Sequence, residues 1–434
     1  MNIREQTKKV EHRVRLYLTA LLKWLALALL TGGICGLLGT AFHVGVDQAN
    51  GLRLRHPWLL LCLPLAGLAI VGGYKLMKTE GKGTNAVIDV VHLGKGLPLL
   101  LIPSIFIGTV LTHLCGGSSG REGAALQMGG TVGYHVGGLF HLDDRDLRTA
   151  TMAGMAAFFA ALFGTPLTAS EFALMVISVG VFYHAAFIPC LVAALTAYGV
   201  SLFFGVEPTR FAVTAPDLEL LMLLRVAVLA VLCAMVSVLF CSGMHLCEHV
   251  MEKYLPNTWL RVSVGGVILI VLTLLVGNDD YSGAGMGLIA RAVEEGKARP
   301  EAFLLKLLFT AVTLSSGFKG GEVVPSFFVG ATFGAVVGPL LGMPAGFAAA
   351  VGLVAVFCGA ANCPIASIFL SIELFGDQGL LYFALACGIS YMLSGYSGLY
   401  SSQTILYSKL KAQYINVHTN NHSAGDPVQD LLGQ

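Results

Sequence analysis

The chain has 434 residues, 56% hydrophobic and 12% charged, with a formal net charge of +1 and a mean hydropathy of +0.77. Soluble domains carry about 25% charged residues, so the composition excludes a soluble protein and defines a polytopic membrane protein. Near-neutral charge argues against a nucleic-acid partner. The 53 glycines are roughly 12% of the chain against a usual ~7%, which points to close helix packing and interrupted helices.

The N-terminus, residues 1–15, is polar and basic, with Arg4, Lys8, Lys9, Arg13 and Arg15. The apolar stretch from Trp24 to Phe42 follows. It is too long for a signal-peptide core and is expected to stay as a span. Basic residues before the first span predict a cytoplasmic N-terminus. Further apolar segments are predicted at 24–46, 58–76, 97–114, 124–139, 150–163, 166–179, 185–204, 218–241, 260–276, 302–314, 324–341, 345–357, 364–374 and 380–393. Several are shorter than the ~20 residues a spanning helix needs. They read as tilted or incomplete helices that line a cavity. Polar loops are predicted at 53–57, 142–148, 206–217, 251–258 and 293–301. The ten cysteines are scattered, without a C-x-x-C pair, and read as small core hydrophobes. The tail, 401–434, reads as short and polar, without a regulatory domain. His418 and His422 belong to that solvated tail and not to a metal site.

The stretch Gly116 to Gly130, GGSSGREGAALQMGG, places an arginine and a glutamate side by side within apolar sequence. Its glycines let the backbone turn and aim N–H groups at an ion. The expected geometry is a helix that begins inside the membrane with its positive end toward an anion. Glu122 then sits where the anion would sit. An ionisable residue at membrane depth is a functional candidate; the bland alternative is a Glu–Arg pair at an aqueous interface.

The pattern repeats. Ser118-Ser119-Gly120-Arg121-Glu122-Gly123 returns as Ser315-Ser316-Gly317-Phe318-Lys319-Gly320-Gly321-Glu322, and Thr165-Pro166-Leu167 returns as Cys363-Pro364-Ile365. Gly81-Lys82-Gly83-Thr84-Asn85 matches Gly283-Ala284-Gly285-Met286-Gly287 at nearly the same spacing. Duplicated halves whose broken helices meet at the midplane are a transporter or channel design. The division is 1–20 as a cytoplasmic segment, 21–210 and 211–400 as two membrane repeats, and 401–434 as the tail.

Three motifs carry a resemblance. Gly120-Arg121-Glu122-Gly123-Ala124 matches a G-[KR]-E-G-P stretch, with Ala in place of Pro. Gly321-Glu322-Val323-Val324-Pro325 stands against G-x-F-x-P, and Gly83-Thr84-Asn85-Ala86-Val87 stands against G-S-G-I-P. With these motifs the chain resembles the CLC family of chloride channels and proton-coupled anion antiporters over nearly its full length. The family's inner tyrosine falls on Tyr400. Within the family, Gly317 to Phe328 (GFKGGEVVPSFF) is most similar to the fluoride/proton antiporter branch. That branch carries a Glu in the third motif and lacks the central serine, whose place Thr84 takes here. The internal proton-relay glutamate of the chloride branch would fall near Met175 or Val176, which carry no proton. Glu171 is a turn earlier, and the role is not carried over to it.

The resemblance implies an all-α membrane bundle of inverted repeats, a homodimer with one pathway per subunit, and a plasma-membrane location with both termini cytoplasmic. It implies Glu122 as gate and proton carrier. It implies an anion path along Thr84, Asn85, Gly120, Arg121, Gly123, Glu322, Val323, Val324 and Tyr400. Fluoride is small and strongly hydrated, so its site needs strong donors; Asn85, Thr84, Tyr400 and a protonated Glu322 are such donors. Each has a structural alternative: Asn85 as a helix cap, Thr84 as a turn residue, Tyr400 as an interfacial anchor, Glu322 as a partner of a helix dipole. Arg121 either neutralises Glu122 or lines an aqueous vestibule, and Lys319 holds a similar place in the second half. The expected function is fluoride/proton antiport. Chloride/proton antiport and a passive chloride channel of the same family remain alternatives. A non-transporting scaffold or an organic-substrate carrier is the rival from another class, and a scaffold needs neither Glu122 nor Glu322. The H-E-x-x-H and serine-elbow motifs of enzymes are absent from the sequence; no cofactor or metal is expected. The partners are fluoride or chloride, protons and lipid.

Overall fold

The computed structural model describes residues 3–420 except 95, 182 and 412, and within those it contains sixteen α-helices and one small sheet. The first half begins with α1 (Ile3–Arg55), a 3-10 turn at Pro57–Cys62 and α2 (Leu63–Leu76). It continues through α3 (Thr84–Leu93), α4 (Leu101–Leu114), α5 (Glu122–Leu139), α6 (Asp144–Phe163), α7 (Pro166–Met175) and α8 (His184–Phe203). The second half holds α9 (Leu220–Tyr254), α10 (Thr258–Val276), α11 (Met286–Glu294), α12 (Ala302–Ser315), α13 (Val323–Leu340), α14 (Ala345–Ala361), α15 (Pro364–Phe375) and α16 (Leu380–Leu393). Strand β1 (Ser178–Val179) pairs in parallel with β2 (Thr404–Tyr407), and β2 pairs antiparallel with β3 (Tyr414–His418).

Among the described residues six helical segments are long and apolar enough to cross a bilayer; α4, α12, α14, α15 and α16 are shorter apolar helices. Large apolar side chains stand exposed along the outer faces, such as Leu76, Phe203, Leu275 and Leu340. Without hydrocarbon around them such surfaces are unfavourable, so the outside of the bundle is a lipid-facing surface.

The two halves repeat in detail. Helices α4 and α12 have 14 residues each, and α5 and α13 have 18 each. Helices α7 and α15 both begin on a proline, Pro166 and Pro364, at the helical position where its missing N–H is not needed. The most extensive helix contacts are α5 with α6 and α13 with α14. Glycines make these crossings possible. A Cβ on Gly129 would strike the Gly154 carbonyl, and one on Gly330 would strike the Gly352 carbonyl.

Several boundaries differ from the sequence reading. Helix α1 runs without a break from Ile3 to Arg55, well past Phe42. The predicted loop 142–148 is mostly helix, because Asp143 accepts from the Asp146 N–H and starts α6 at Asp144. The predicted segment 166–179 ends as a helix at Met175 and finishes in β1. Helix α11 was not foreseen as a segment; its glycine-rich start and charged face hide it. The tail is not merely solvated. Residues 404–418 return to the bundle as β2 and β3, and His418 lies in β3; His422 lies outside the described residues.

Candidate functional site between two facing helix starts

The two glycine-rich segments meet. The Gly120 N–H donates to the Gly321 carbonyl at 2.7 Å, and the Gly321 N–H donates back to Gly120 at 2.9 Å. This antiparallel bridge sets the starts of α5 and α13 against each other. Only glycine allows it: a Cβ on Gly321 would strike the Gly123 nitrogen, and one on Gly123 would lie 3.0 Å from the Gly320 carbonyl oxygen.

Glu122, the first residue of α5, is fully buried. Its Oε2 accepts from the Val324 N–H at 3.3 Å, one of the free donors at the start of α13. Its Oε1 is buried without a hydrogen-bond partner among the described residues. The carboxyl thus occupies a helix N-terminus, where an anion is favoured. Val323 and Val324 are buried beside it.

On one side of this barrier lies a cavity of about 290 Å³, lined by Thr84, Asn85, Glu322 and Tyr400. Thr84 opens α3, and its Oγ1 accepts from Gln127 Nε2 at 3.1 Å. Asn85 is not the helix cap that was one of its two readings. Gly83 holds that position, and Asn85 Oδ1 instead accepts from the Ser402 N–H at 3.2 Å. Tyr400 is not an interfacial anchor: it is 2% exposed, and its hydroxyl is buried without a partner among the described residues. Glu322 is the N-cap of α13, with Oε2 likewise unpartnered. Two unpaired oxygens facing one cavity are unusual, since buried polar groups are normally satisfied.

On the other side lies a cavity of about 320 Å³, lined by Arg121, Arg53, Asp47 and His113 among others. Of the two readings of Arg121, vestibule lining holds. Its Nη1 lies 2.9 Å from His43 Nδ1 and 3.5 Å from Asp47 Oδ1. It is therefore set apart from Thr84, Asn85, Glu322 and Tyr400, with which the sequence had grouped it. Lys319 lies on the opposite side, its ammonium 4.5 Å from the Tyr74 ring centroid and its side chain on the Thr84 cavity. Equivalent basic residues of the two halves thus face opposite cavities, as an inverted repeat requires. Glu171 is buried in α7, with Oε2 unpartnered, and lines neither cavity.

Sequence reasoning missed Gln127, Ser402, His245 and Glu248. The last two line the Thr84 cavity from α9. Gln127 was discoverable, since it stands one helical turn after Gly123. Ser402 and α9 were not, because their neighbours are distant in sequence. Among the described residues no metal-ligand cluster occurs, and the cysteines are free.

A polytopic helical bundle with interrupted helices, whose starts enclose a buried carboxyl between two cavities, belongs to the class of membrane transport proteins. The family model for the voltage gated chloride channel matches residues 66–395. A chloride/fluoride channel protein of Pseudomonas syringae pv. tomato is 38% identical, over 89% of this chain and 87% of that protein. An H(+)/Cl(−) exchange transporter of Vibrio vulnificus is 26% identical, over 92% of this chain and 93% of that one. The crystal structure of a CLC-type fluoride/proton antiporter superposes with a TM-score of 0.86 at 35% identity, covering 89% of this chain and 98% of that one. A slow cyanobacterial Cl−/H+ antiporter shares the fold with a TM-score of 0.72 at 20% identity. The chain belongs to the voltage gated chloride channel (CLC) family.

Proposed function

We propose that the protein exports fluoride in exchange for protons, with Glu122 as gate and proton carrier. The carrying observation is the Glu122 carboxyl in the Val324 N–H site, fully buried between two cavities. The hydrogen bond from the Val324 N–H is worth about 1.5–3 kcal/mol, against a desolvation cost of several kcal/mol for a buried ion. Protonation removes the charge and frees the N–H donor, and the anion takes it. Deprotonation returns the carboxylate and closes the path. One side chain then moves a proton and an anion in opposite directions.

The anion path runs along Gly120, Gly123, Val323 and Val324 to Thr84, Asn85, Glu322 and Tyr400, with Arg121 at the other mouth. The Tyr400 hydroxyl, the Asn85 amide and the Thr84 hydroxyl supply donors strong enough to offset fluoride dehydration. A protonated Glu322 adds a fourth. The named relatives in Pseudomonas syringae and in the 35%-identical crystal structure support fluoride as cargo. We take 21–210 and 211–400 as the repeats. A homodimer in the plasma membrane, with both termini cytoplasmic and no enzymatic activity, completes the reading. The second reading, chloride/proton antiport or a passive chloride channel, is favoured by one feature. Thr84 keeps a hydroxyl on the cavity where the chloride branch has serine.

Efflux from liposomes, followed in parallel with fluoride and chloride electrodes, decides between them. Fluoride efflux well above chloride efflux is expected; equal or faster chloride efflux removes the fluoride reading. Tyr400→Phe tests the path itself. Deleting the one donor should slow fluoride flux roughly tenfold, the scale of a hydrogen bond to a charged group, without loss of folded protein. Undiminished flux would reduce Tyr400 to packing.

A further inference from the structure

The cavity on the Arg121 side holds a cluster of polar atoms that nothing in the gate accounts for. Asn50 Oδ1, Arg53 Nε, Ser282 Oγ and a ring nitrogen of His113 are buried without hydrogen-bond partners among the described residues, while the other side of the imidazole meets the Gly120 backbone. All four residues line that cavity. His113 is fully buried, and Ser282 is 5% exposed. Several orphaned polar groups around one cavity mark a candidate site for a polar ligand, because buried polar groups are normally satisfied by a partner.

Three of the groups border the space above Gly283, and Ser282 borders the space above Gly116. A Cβ built on Gly283 would lie 3.4 Å from Asn50 Oδ1, 3.8 Å from His113 Nδ1 and 4.0 Å from Arg53 Nη2. A Cβ on Gly116 would lie 3.6 Å from Ser282 Oγ and 3.5 Å from Arg53 Cδ. Gly283 therefore keeps clear a space edged by an amide, an imidazole and a guanidinium, and Gly116 keeps clear one edged by the Ser282 hydroxyl and the Arg53 side chain. The inventory favours an anion. Arg53 Nε can only donate, Ser282 and one imidazole nitrogen donate readily, and the Asn50 amide turned over presents its NH2.

The charges are layered to match. The guanidiniums of Arg53 and Arg121 are each 11% exposed, whereas their carboxylate partners Asp279 and Asp47 are 55% and 56% exposed. Asp280 lies on the cavity as well. Water screens the rim carboxylates more than the inner cations. Behind the loop, the buried Lys306 ammonium donates to the Tyr281 carbonyl at 3.1 Å and the Gly283 carbonyl at 2.6 Å. It fixes the loop from the protein side.

We propose that Asn50, Arg53, His113 and Ser282 form a second binding site for a small monovalent anion, a staging site on the Arg121 side of the Glu122 barrier. Its role in transport rests on the proposed function; its existence does not. A staging site outside the gate governs capture from one face of the membrane. Its loss raises the half-saturating anion concentration on that face and spares the saturated rate.

The test measures sided flux in liposomes holding full-length protein in one orientation, with fluoride and chloride electrodes. Ser282→Ala and Gly283→Ala are each expected to raise half-saturation on the Arg121 face roughly tenfold, as for one hydrogen bond to an ion, with no change on the opposite face. Equal change on both faces, or none on either, overturns the staging role. A wild type that moves neither anion would refute the transport reading instead. Crystals soaked in bromide then decide the site. An anomalous peak beside Gly283 that disappears in Ser282→Ala supports it, and a cavity without such a peak in the unaltered protein overturns it.

Discussion

Glu122→Gln protein in liposomes should pass fluoride while its coupled proton movement falls to the leak of protein-free vesicles. Glutamine keeps the shape of the side chain but has neither the charge nor the titrating proton. Removing a positioned proton carrier acts on the scale of roughly a hundredfold or more, so the effect should dwarf experimental scatter. The wild-type carboxyl holds the Val324 N–H at 3.3 Å with its second oxygen unpaired. The glutamine amide binds that N–H no better, and it no longer repels an arriving anion of like charge. Anion movement then becomes passive and independent of the proton gradient. Simultaneous electrode and pH recordings check this. Proton movement undiminished in Glu122→Gln would remove the residue from coupling. Loss of both fluxes with folded protein retained would make Glu122 a path residue and not a carrier.

The second large effect concerns folding. Gly129→Leu should abolish recovery of monodisperse protein, because α5 and α6 touch backbone to backbone at Gly129 and Gly154. Overpacking a well-filled core costs about 1–3 kcal/mol, occasionally more. Here the obstacle is a carbonyl, which has no rotamer to yield, so the upper end applies. Gly138→Ala in the same helix is the control. Nothing lies within 4 Å of the Cβ it would add, and alanine improves helix propensity by about 1 kcal/mol. It should fold as well as the parent or better. Size-exclusion profiles and thermal melts of the two variants compare them directly. Equal recovery of Gly129→Leu and Gly138→Ala would mean that the helix crossing is looser than its geometry.

These two predictions draw on the most legible part of the sequence. The glycine-rich strings around Glu122 and Glu322 announced themselves by repetition, and glycine enrichment announced close helix contact. The apolar segments fixed most of the helices, and that of α16 coincides with the helix from Leu380 to Leu393. What stayed hidden depended on partners far away in the chain. Asn85 reads equally as a cap or a donor until Ser402 is seen to hold its carbonyl oxygen. Arg121 beside Glu122 in sequence suggests an ion pair, but a residue at the helix start and its predecessor project to different sides of the barrier. The strands of the tail were hidden because β2 needs Ser178 and Val179 to pair with, and two residues carry no periodicity. His113 sits in an apolar helix and looks like a packed core histidine until Asn50 and Arg53 are seen beside it around Gly283.

The account depends on a carboxylate and an anion competing for one N–H donor, and equilibrium anion binding to purified protein as a function of pH measures that competition. Protonation empties the donor site, so fluoride should bind the wild type best at low pH, and its affinity should fall as the pH rises and the carboxylate returns. In Glu122→Gln, fluoride should bind at least as tightly as in the wild type at low pH, with this pH dependence abolished. Identical pH profiles in the two proteins would contradict the claim that Glu122 and the anion share the site at the start of α13.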